Sequence, residues 1–286
     1  HAADIIRIYA VNWEYRGKRM YRLAIIFHLS VAVAILMIAG CATLPEDFDR
    51  PESYALTHTE NTAFGRARAK ERAAHQGKSG FHLLENGLDA FVARAVLSHY
   101  AERSIDVQYY LYHNDLIGKL FTELLLRAAD RGVRVRLLVD DMDLSGRDLG
   151  AAALDSHPNM EVRIFNPFSR NVGRISQFVT RLGSVTRRMH NKSFTVDNQV
   201  TILGGRNIGK EYFDAHPDLA FADLDVMAIG PVAKEVSSAF DLYWNSELAY
   251  PVSVLLKGDP PTPETVEKLR GELNKFVADQ TDSLYL

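Results

Sequence analysis

The feature that most constrains this chain is a strand-like segment that carries His190 and Lys192 two positions apart. Side chains two residues apart on a β-strand share a face, so the imidazole and the ammonium group are expected to be neighbours. A buried ammonium group without a partner is strongly destabilising, so this pair does not suit a packed core. The pair suits a phosphate, because the imidazole can attack phosphorus while the lysine neutralises the non-bridging oxygens.

Residues at short spacing after this pair extend the pattern. The strand predicted over residues 190–196 leads to a turn at Asp197, then to a second strand over residues 200–204. We interpret Asp197 as fixing the turn, since an aspartate side chain bonds nearby backbone there. Gly205 allows close approach of the backbone. The Asn207 amide can bind phosphate oxygens, and it can also cap a helix starting near residue 208.

His190, Lys192, Asp197 and Asn207 resemble the His-x-Lys-x₄-Asp and Gly-Gly-x-Asn signature of the phospholipase D superfamily. The runs 105–110, 131–136 and 204–213 are similar to the cardiolipin synthase branch among bacterial lipoproteins, and the resemblance spans residues 81–248. It implies an α/β fold with a mixed β-sheet flanked by helices on both faces. It also implies phosphodiester cleavage or transfer through a covalent phosphohistidine on His190.

The same resemblance implies a catalytic group of His190, Lys192, Asp197 and Asp223, in which Asp197 acts mainly by fixing the motif. Lys192, Asn207 and Gly205 would bind the substrate phosphate. An attacking histidine needs its second ring nitrogen held by an acceptor, which sets the tautomer. Asp223 matches the acidic residue that orients the histidine, and Asp225, on the same face of a predicted strand over residues 223–229, is the second choice. A solvated strand edge is the alternative for either aspartate.

A cluster of three aspartates, Asp140, Asp141 and Asp143, follows another predicted strand. Carboxylates in such a position can hold magnesium. The sequence places no histidine or fourth carboxylate obviously beside them, and phosphohistidine chemistry with Lys192 needs no metal. We therefore expect a turn role for the cluster, no metal site and no cofactor.

Hydrophobic periodicity predicts the remaining elements of a half-domain over residues 80–250. The β-α-β order favours a parallel or mixed sheet with helices on its faces. We expect residues 42–79 to form a tether and residues 251–286 a proline-rich linker with a final helix. The expected helices are 62–76, 86–103, 118–131, 234–244 and 263–277, and the further strands are 104–112, 133–139 and 161–165.

The N-terminal region has the pattern of an export signal. Four basic residues precede an apolar run over residues 23–39, which ends Ile-Ala-Gly-Cys at Cys41. This ending resembles the bacterial lipobox, which implies a leader (1–41) starting from Met20, cleavage before Cys41 and a lipid on its thiol. The alternative is a transmembrane anchor, for which about 17 residues is short. Both place the domain outside the cytoplasm on a membrane, and we expect residues 1–19 to lie outside the natural product.

The sequence contains one His-x-Lys pair, whereas the resemblance implies two that face each other. The chain therefore corresponds to the N-terminal half of such a protein. The second half would lie in the same polypeptide beyond Leu286, which the composition of the tail favours, or in a second copy.

The expected partners are a phospholipid substrate and a membrane surface. Between residues 162 and 196 there are seven basic residues and no acidic one, which suits anionic head groups or simply a solvated loop. A dimeric endonuclease is the first alternative, although many nuclease-type relatives carry serine where Gly205 stands, and no stable nucleic-acid partner is expected. A non-catalytic lipid-binding lipoprotein is the second alternative.

Overall fold

The computed structural model describes residues 20–31, 44–144, 146–181, 183–280 and 283–285. Cys41 and most of the expected leader lie outside these ranges. Residues 20–31 form a helix, α1. Within the described ranges, no helix combines the length and the apolar character needed to cross a membrane.

A single eight-stranded sheet organises the domain, in the order β1-β7-β6-β5-β2-β3-β4-β8. Strands β2, β3 and β4 pair in parallel, and the other neighbours pair antiparallel. The sheet is therefore mixed, as predicted. The strands are β1 (Gly80–Leu84), β2 (Ser104–Tyr109), β3 (Arg134–Asp140), β4 (Met160–Phe165), β5 (Ser193–Val196), β6 (Val200–Gly204), β7 (Asp225–Ile229) and β8 (Ala249–Pro251).

Helices cover both faces of the sheet. The predicted helix over residues 62–76 is two short helices, because Arg68 leaves the helical conformation at φ −107° and ψ 10°. The helices after α1 are α2 (Ala63–Ala67), α3 (Ala69–Ala74), α4 (Gly87–Tyr100), α5 (Leu116–Asp130), α6 (Asp148–Asp155), α7 (Arg174–Thr180), α8 (Pro231–Trp244) and α9 (Pro263–Ala278), with a 3₁₀ turn at Val252–Leu255.

Strand β3 shows why both faces are covered. Leu137 belongs to the main apolar core on one face of the sheet. The preceding residue, Arg136, is fully buried on the opposite face, under α8. Its guanidinium forms two bonds to Asp106 of β2, at 2.7 and 2.9 Å, and one to Asp241 of α8 at 2.8 Å. It also lies 4.8 Å from the centre of the Phe240 ring. A cation buried this way is paired in full, and it fixes α8 on the sheet.

Residues 53–56, which precede α2, are hydrogen bonded to the domain near the edge of the sheet where β2 begins. Arg136 donates to the Ser53 carbonyl at 2.8 Å, Asp241 accepts from the Ala55 N–H at 2.9 Å, and Asn198 donates to the Leu56 carbonyl at 3.0 Å. The irregular conformation was expected. These residues are nevertheless part of the packed domain, which differs from the tether predicted over residues 42–79.

The C-terminal helix α9 packs back on the domain. Leu273 is buried, Arg270 forms a two-bond ion pair with Asp130 of α5, and Lys119 lies 4.3 Å over the Phe276 ring. The apolar side of α9 is therefore covered within the chain.

Candidate active site

The parallel strands β2, β3 and β4 end at one edge of the sheet, and β5 begins there because it runs antiparallel to β2. The chain enters β5 through Met189, which is buried and donates its N–H to Asp140 at 2.9 Å. His190 and Lys192 follow, and β5 starts only at Ser193, later than the strand predicted from residue 190. Open α/β sheets bind ligands at this edge, outside the carboxyl ends of the parallel strands.

His190 and Lys192 meet on the ring of Tyr110, the residue after β2. The centres of the His190 and Tyr110 rings are 4.7 Å apart, and the Lys192 Nζ lies 5.5 Å from the Tyr110 ring. Lys192 is 8% exposed and its Nζ donates to the His190 carbonyl at 2.9 Å, whereas His190 is exposed. The imidazole and the ammonium group are thus neighbours at the open edge of the sheet. Sequence reasoning missed Tyr110, because an aromatic residue at the end of a strand is ordinarily part of a core.

Both groups have perturbed pKa values. Partial burial, and then the charge of Lys192, lower the pKa of His190, which favours the neutral imidazole. Burial lowers the pKa of Lys192, and the charge of Asp223 opposes this shift. The neutral imidazole is the nucleophilic form of a histidine, so the electrostatics suit attack on phosphorus.

Asp223 lies beside Lys192 and Gly205. A Cβ added to Gly205 would come within 2.2 Å of the Asp223 Oδ1, so a larger residue at this position would displace the Asp223 side chain. Among the described residues, no hydrogen bond joins Asp223 to the His190 ring. Strand β7 begins at Asp225, two residues later than predicted, and Asp225 is fully buried in an ion pair of 2.8 Å with Arg94. The two aspartates therefore do not share an environment, and Asp225 belongs to the core.

Gly205 and Asn207 connect the strands around the site. The Gly205 N–H donates to the Leu224 carbonyl at 3.0 Å, so this N–H is already bonded within the protein. Asn207 is buried and accepts from the Leu111 N–H at 3.0 Å. No helix starts at residue 208, which forms a β-bridge instead, so the alternative helix-capping role of Asn207 is wrong.

Asp197 occupies the β5–β6 turn with a positive φ of 51°. Its carboxylate is fully buried and accepts the backbone N–H groups of Glu102, Arg103 and Ser104 at 3.1, 2.7 and 2.9 Å. It lies at the opposite end of β5 from His190, so the structure does not bring it together with the other residues of the expected catalytic group. These bonds support the structural interpretation of Asp197, with the addition that it joins the hairpin to the start of β2.

The three aspartates after β3 are held by protein donors. Asp140 accepts from the N–H groups of Met142 and Met189 and from Arg188, at 3.0, 2.9 and 3.0 Å. Burial raises the pKa of Asp140 to about 6, in spite of these bonds. Asp141 is buried against Arg170, and Asp143 forms an ion pair of 2.7 Å with Arg147. The bond from the Met142 N–H to Asp140 is the expected turn contact. Asp140 also anchors the segment that carries His190, through its bonds from Arg188 and Met189.

One group with metal-type ligands occurs in the described part of the chain. His113, Asp115 and Glu211 each offer a ligand atom, and these atoms lie within 4.8 Å of one another. His113 Nδ1 is 3.0 Å from Glu211, and Asp115 accepts the N–H of Gly118 as the cap of α5 and the N–H of Lys210. These contacts explain the cluster as a structural element, and we assign no metal to it.

The basic stretch before His190 is largely neutralised by the fold. Arg170 forms bonds to Asp141 and Asp148, Arg188 bonds Asp140, and Arg163 is buried against the Trp244 carbonyl. The stretch of basic residues in the sequence therefore gives a smaller positively charged surface in the folded chain than their number suggests.

The chain matches the family described as "Cardiolipin synthase, PLD-like domain" over residues 97–244, and it belongs to this family of phospholipase D-like proteins. The resemblance seen in the sequence is thereby confirmed. Over 195 residues the chain is 49% identical to "Cardiolipin synthase C" of Escherichia coli K12, covering 68% of this chain and 41% of that protein. It is 41% identical over 227 residues to an uncharacterized protein of Helicobacter pylori 26695, covering 79% and 45%.

The chain therefore spans less than half the length of the curated relatives it matches. Among solved structures it is similar to NucT from Helicobacter pylori, with a TM-score of 0.44 at 16% identity, covering 61% of this chain and 98% of that one. It is also similar to Nuc from Salmonella typhimurium, a phospholipase D family member, with a TM-score of 0.43 at 19% identity and the same coverage.

Proposed function

We propose that this chain supplies one nucleophilic half of a site that cleaves or transfers the phosphodiester of a glycerophospholipid. The observation that carries the proposal is the exposed His190 imidazole beside the Lys192 ammonium group on the Tyr110 ring. The family of the chain supports phosphodiester chemistry, and the cardiolipin synthase names of its relatives support a phospholipid as the substrate.

In the proposed reaction, a ring nitrogen of neutral His190 attacks phosphorus and forms a P–N bond. The P–O bond to the leaving alcohol breaks, and the alcohol oxygen takes a proton from an acid in the second half of the site. An acceptor, either water or a second alcohol, then attacks the phosphohistidine and gives its proton to the same group of the second half, which restores the acid, and the P–N bond breaks. Lys192 compensates the charge on the phosphate oxygens throughout, which is the largest usual contribution to such catalysis.

The second half of the site is also part of the proposal. The sequence contains one His-x-Lys pair, and two-step displacement needs a group that protonates the leaving alcohol. A further segment of the same polypeptide or a second copy of the chain would provide it.

We further propose that Cys41 carries a lipid that anchors the domain outside the cytoplasm, which the basic residues and the apolar run before it support. Incorporation of labelled palmitate into the full chain, and its loss in Cys41→Ser, is the expected result. Equal labelling of both proteins would contradict this anchor.

The proposed function is tested by comparing the turnover of a phospholipid and of a nucleic acid. The assembled site, as a homodimer or with its second half, is expected to consume phosphatidylglycerol in vesicles and to leave single-stranded DNA intact. Turnover of DNA with a steep fall at rising salt, and none of lipid, would favour the endonuclease instead. Binding of vesicles without turnover of either diester would favour the non-catalytic lipoprotein.

Tyr110 should matter for turnover through its ring rather than its hydroxyl group. Tyr110→Ala removes the surface that holds both His190 and Lys192, and we expect turnover to fall by about 10-fold to 100-fold, as misplaced reacting groups do. Tyr110→Phe keeps the ring contacts and should stay near the parent rate. Equal losses in both variants, measured on phosphatidylglycerol vesicles, would show that the hydroxyl group is what matters.

A further inference from the structure

A partly enclosed cavity of about 390 Å³ lies between strands β3 and β4 and helices α5, α6 and α9. Alternate residues of the two strands form its floor, and α6 and α9 form much of its walls. Protein interiors are close-packed, and an apolar space of this size lowers stability unless something fills it. Its lining includes the apolar residues Leu137, Val139, Leu154, Val162, Ile164 and Leu273, each no more than 8% exposed.

Part of the cavity lining is polar. It includes His113, Lys119, Arg147 and the exposed Glu272, and His113 faces the carboxylates of Glu211 and Asp143 at 3.0 and 3.7 Å. Arg147 is bonded to the Tyr112 carbonyl and to Asp143. Lys119 lies over the Phe276 ring, and no carboxylate of the described residues forms an ion pair with it. An apolar interior with a polar rim that includes the Lys119 ammonium group suits a long-chain amphiphile with a polar head group that a lysine can bind.

The chemistry of the lining selects among possible occupants. A peptide segment inside the cavity would leave backbone N–H and C=O groups unpaired against aliphatic side chains, which is strongly unfavourable. A hydrocarbon chain has no such groups. An acyl chain is therefore the occupant that this lining accommodates.

The cavity also lies close to the candidate active site along the chain. Tyr112 lines the cavity, and it is two residues from Tyr110, the residue on which His190 and Lys192 meet. Two residues of extended chain span about 7 Å, which is well within the length of one phospholipid molecule. We infer that the cavity holds one acyl chain of the anionic glycerophospholipid whose phosphate lies at His190. This inference rests on the proposed function for the position of the phosphate.

Two glycines give a matched test of the inference. Gly150 of α6 and Gly271 of α9 both lie in helices and have open space where a Cβ would stand, but only Gly150 lines the cavity. Gly150→Leu therefore partly fills the cavity, whereas Gly271→Leu makes the same change outside it. Ala151→Leu, from a neighbouring lining position, is a second filling variant in case the first perturbs α6.

Binding of monomeric lyso-phosphatidylglycerol to the full chain, followed by calorimetry, is the measurement. We expect saturable binding at one molecule per chain, and much weaker binding of glycerophosphoglycerol, which has the head group without the acyl chain. Both filling variants should bind at least about tenfold more weakly, since each methylene kept out of an apolar site weakens binding about fourfold. Gly271→Leu should bind like the parent chain.

Absence of saturable binding, or equal binding by the parent chain and both filling variants, would overturn the inference. A variant with His190→Ala separates this failure from that of the proposed function, because it should lose transfer but keep binding through the cavity. If binding depends on the cavity but the assembled site does not react with phospholipid, the assignment of the cavity stands and only the proposed function is contradicted.

Discussion

Replacing Lys192 with methionine is expected to lower the rate of phospholipid turnover by about 10²-fold to 10³-fold, the loss seen when one fixed donor to a developing anion is removed. Methionine keeps most of the side-chain volume, so the segment between Met189 and Ser193 should keep its packing. The loss would arise because the phosphate oxygens no longer face a fixed positive charge. The rate is to be measured in the assembled site with phosphatidylglycerol vesicles.

The same variant should also change the pH dependence of the reaction. Partial burial lowers the pKa of His190 and the charge of Lys192 lowers it further, so the nucleophilic neutral form persists to lower pH than usual. Without that charge the pKa of His190 rises, and the acid limb of the pH–rate profile should move to higher pH. Lys257→Met removes an exposed lysine and should change neither quantity. An acid limb that stays in place, or moves to lower pH, would contradict the coupling of the two groups.

Replacing Arg94 with methionine should lower the free energy of unfolding by about 3–5 kcal/mol, the usual result of breaking a buried ion pair from one side. Arg94 is 1% exposed and bonds Asp225 at 2.8 Å, the Tyr109 hydroxyl at 2.9 Å and the Ala90 carbonyl at 2.8 Å. Its removal leaves the Asp225 carboxylate buried, with Arg206 at 3.9 Å as the remaining ion-pair partner.

Urea denaturation of a double-mutant cycle measures this effect. Adding Asp225→Asn to Arg94→Met should recover part of the loss, because the uncompensated charge disappears. Arg66→Met is the matched control, since Arg66 pairs with Glu102 at 3.1 Å on the surface, where such pairs contribute less than about 1 kcal/mol. Equal losses for the two arginines would show that the buried pair does not hold α4 to β7.

Helices and strands whose apolar residues recur with a clear period could be predicted from the sequence. The helices over 86–103 and 118–131 and the strands over 104–112 and 133–139 appear in the structure with shifted ends, because their apolar residues recur at helical or alternating spacing. His190 and Lys192 are also neighbours as expected, although they precede β5 instead of lying within it. The periodicity does not fix where a ladder of hydrogen bonds ends, and the starts of β5 and β7 were therefore predicted two or three residues early.

Contacts between distant segments could not be predicted from the sequence. Arg136 pairs with Asp106 because the parallel register of β2 and β3 places them opposite each other. The arginines before His190 meet Asp140, Asp141 and Asp148, which lie far enough along the chain that the stretch looked uniformly positive. Tyr110 reaches His190 only because β5 returns beside β2.

We propose that His190 becomes covalently linked to phosphorus during the reaction. The most direct test of this proposal exposes the assembled site, as a homodimer or with its second half, to phosphatidylglycerol vesicles, stops the reaction under non-acidic conditions that preserve phosphohistidine, and locates the adduct by peptide mass spectrometry. We expect a phosphatidyl adduct on the peptide that carries His190, absent in His190→Ala and retained when the exposed His99 is replaced by alanine. An adduct on a different residue, or one that survives in His190→Ala, would contradict it.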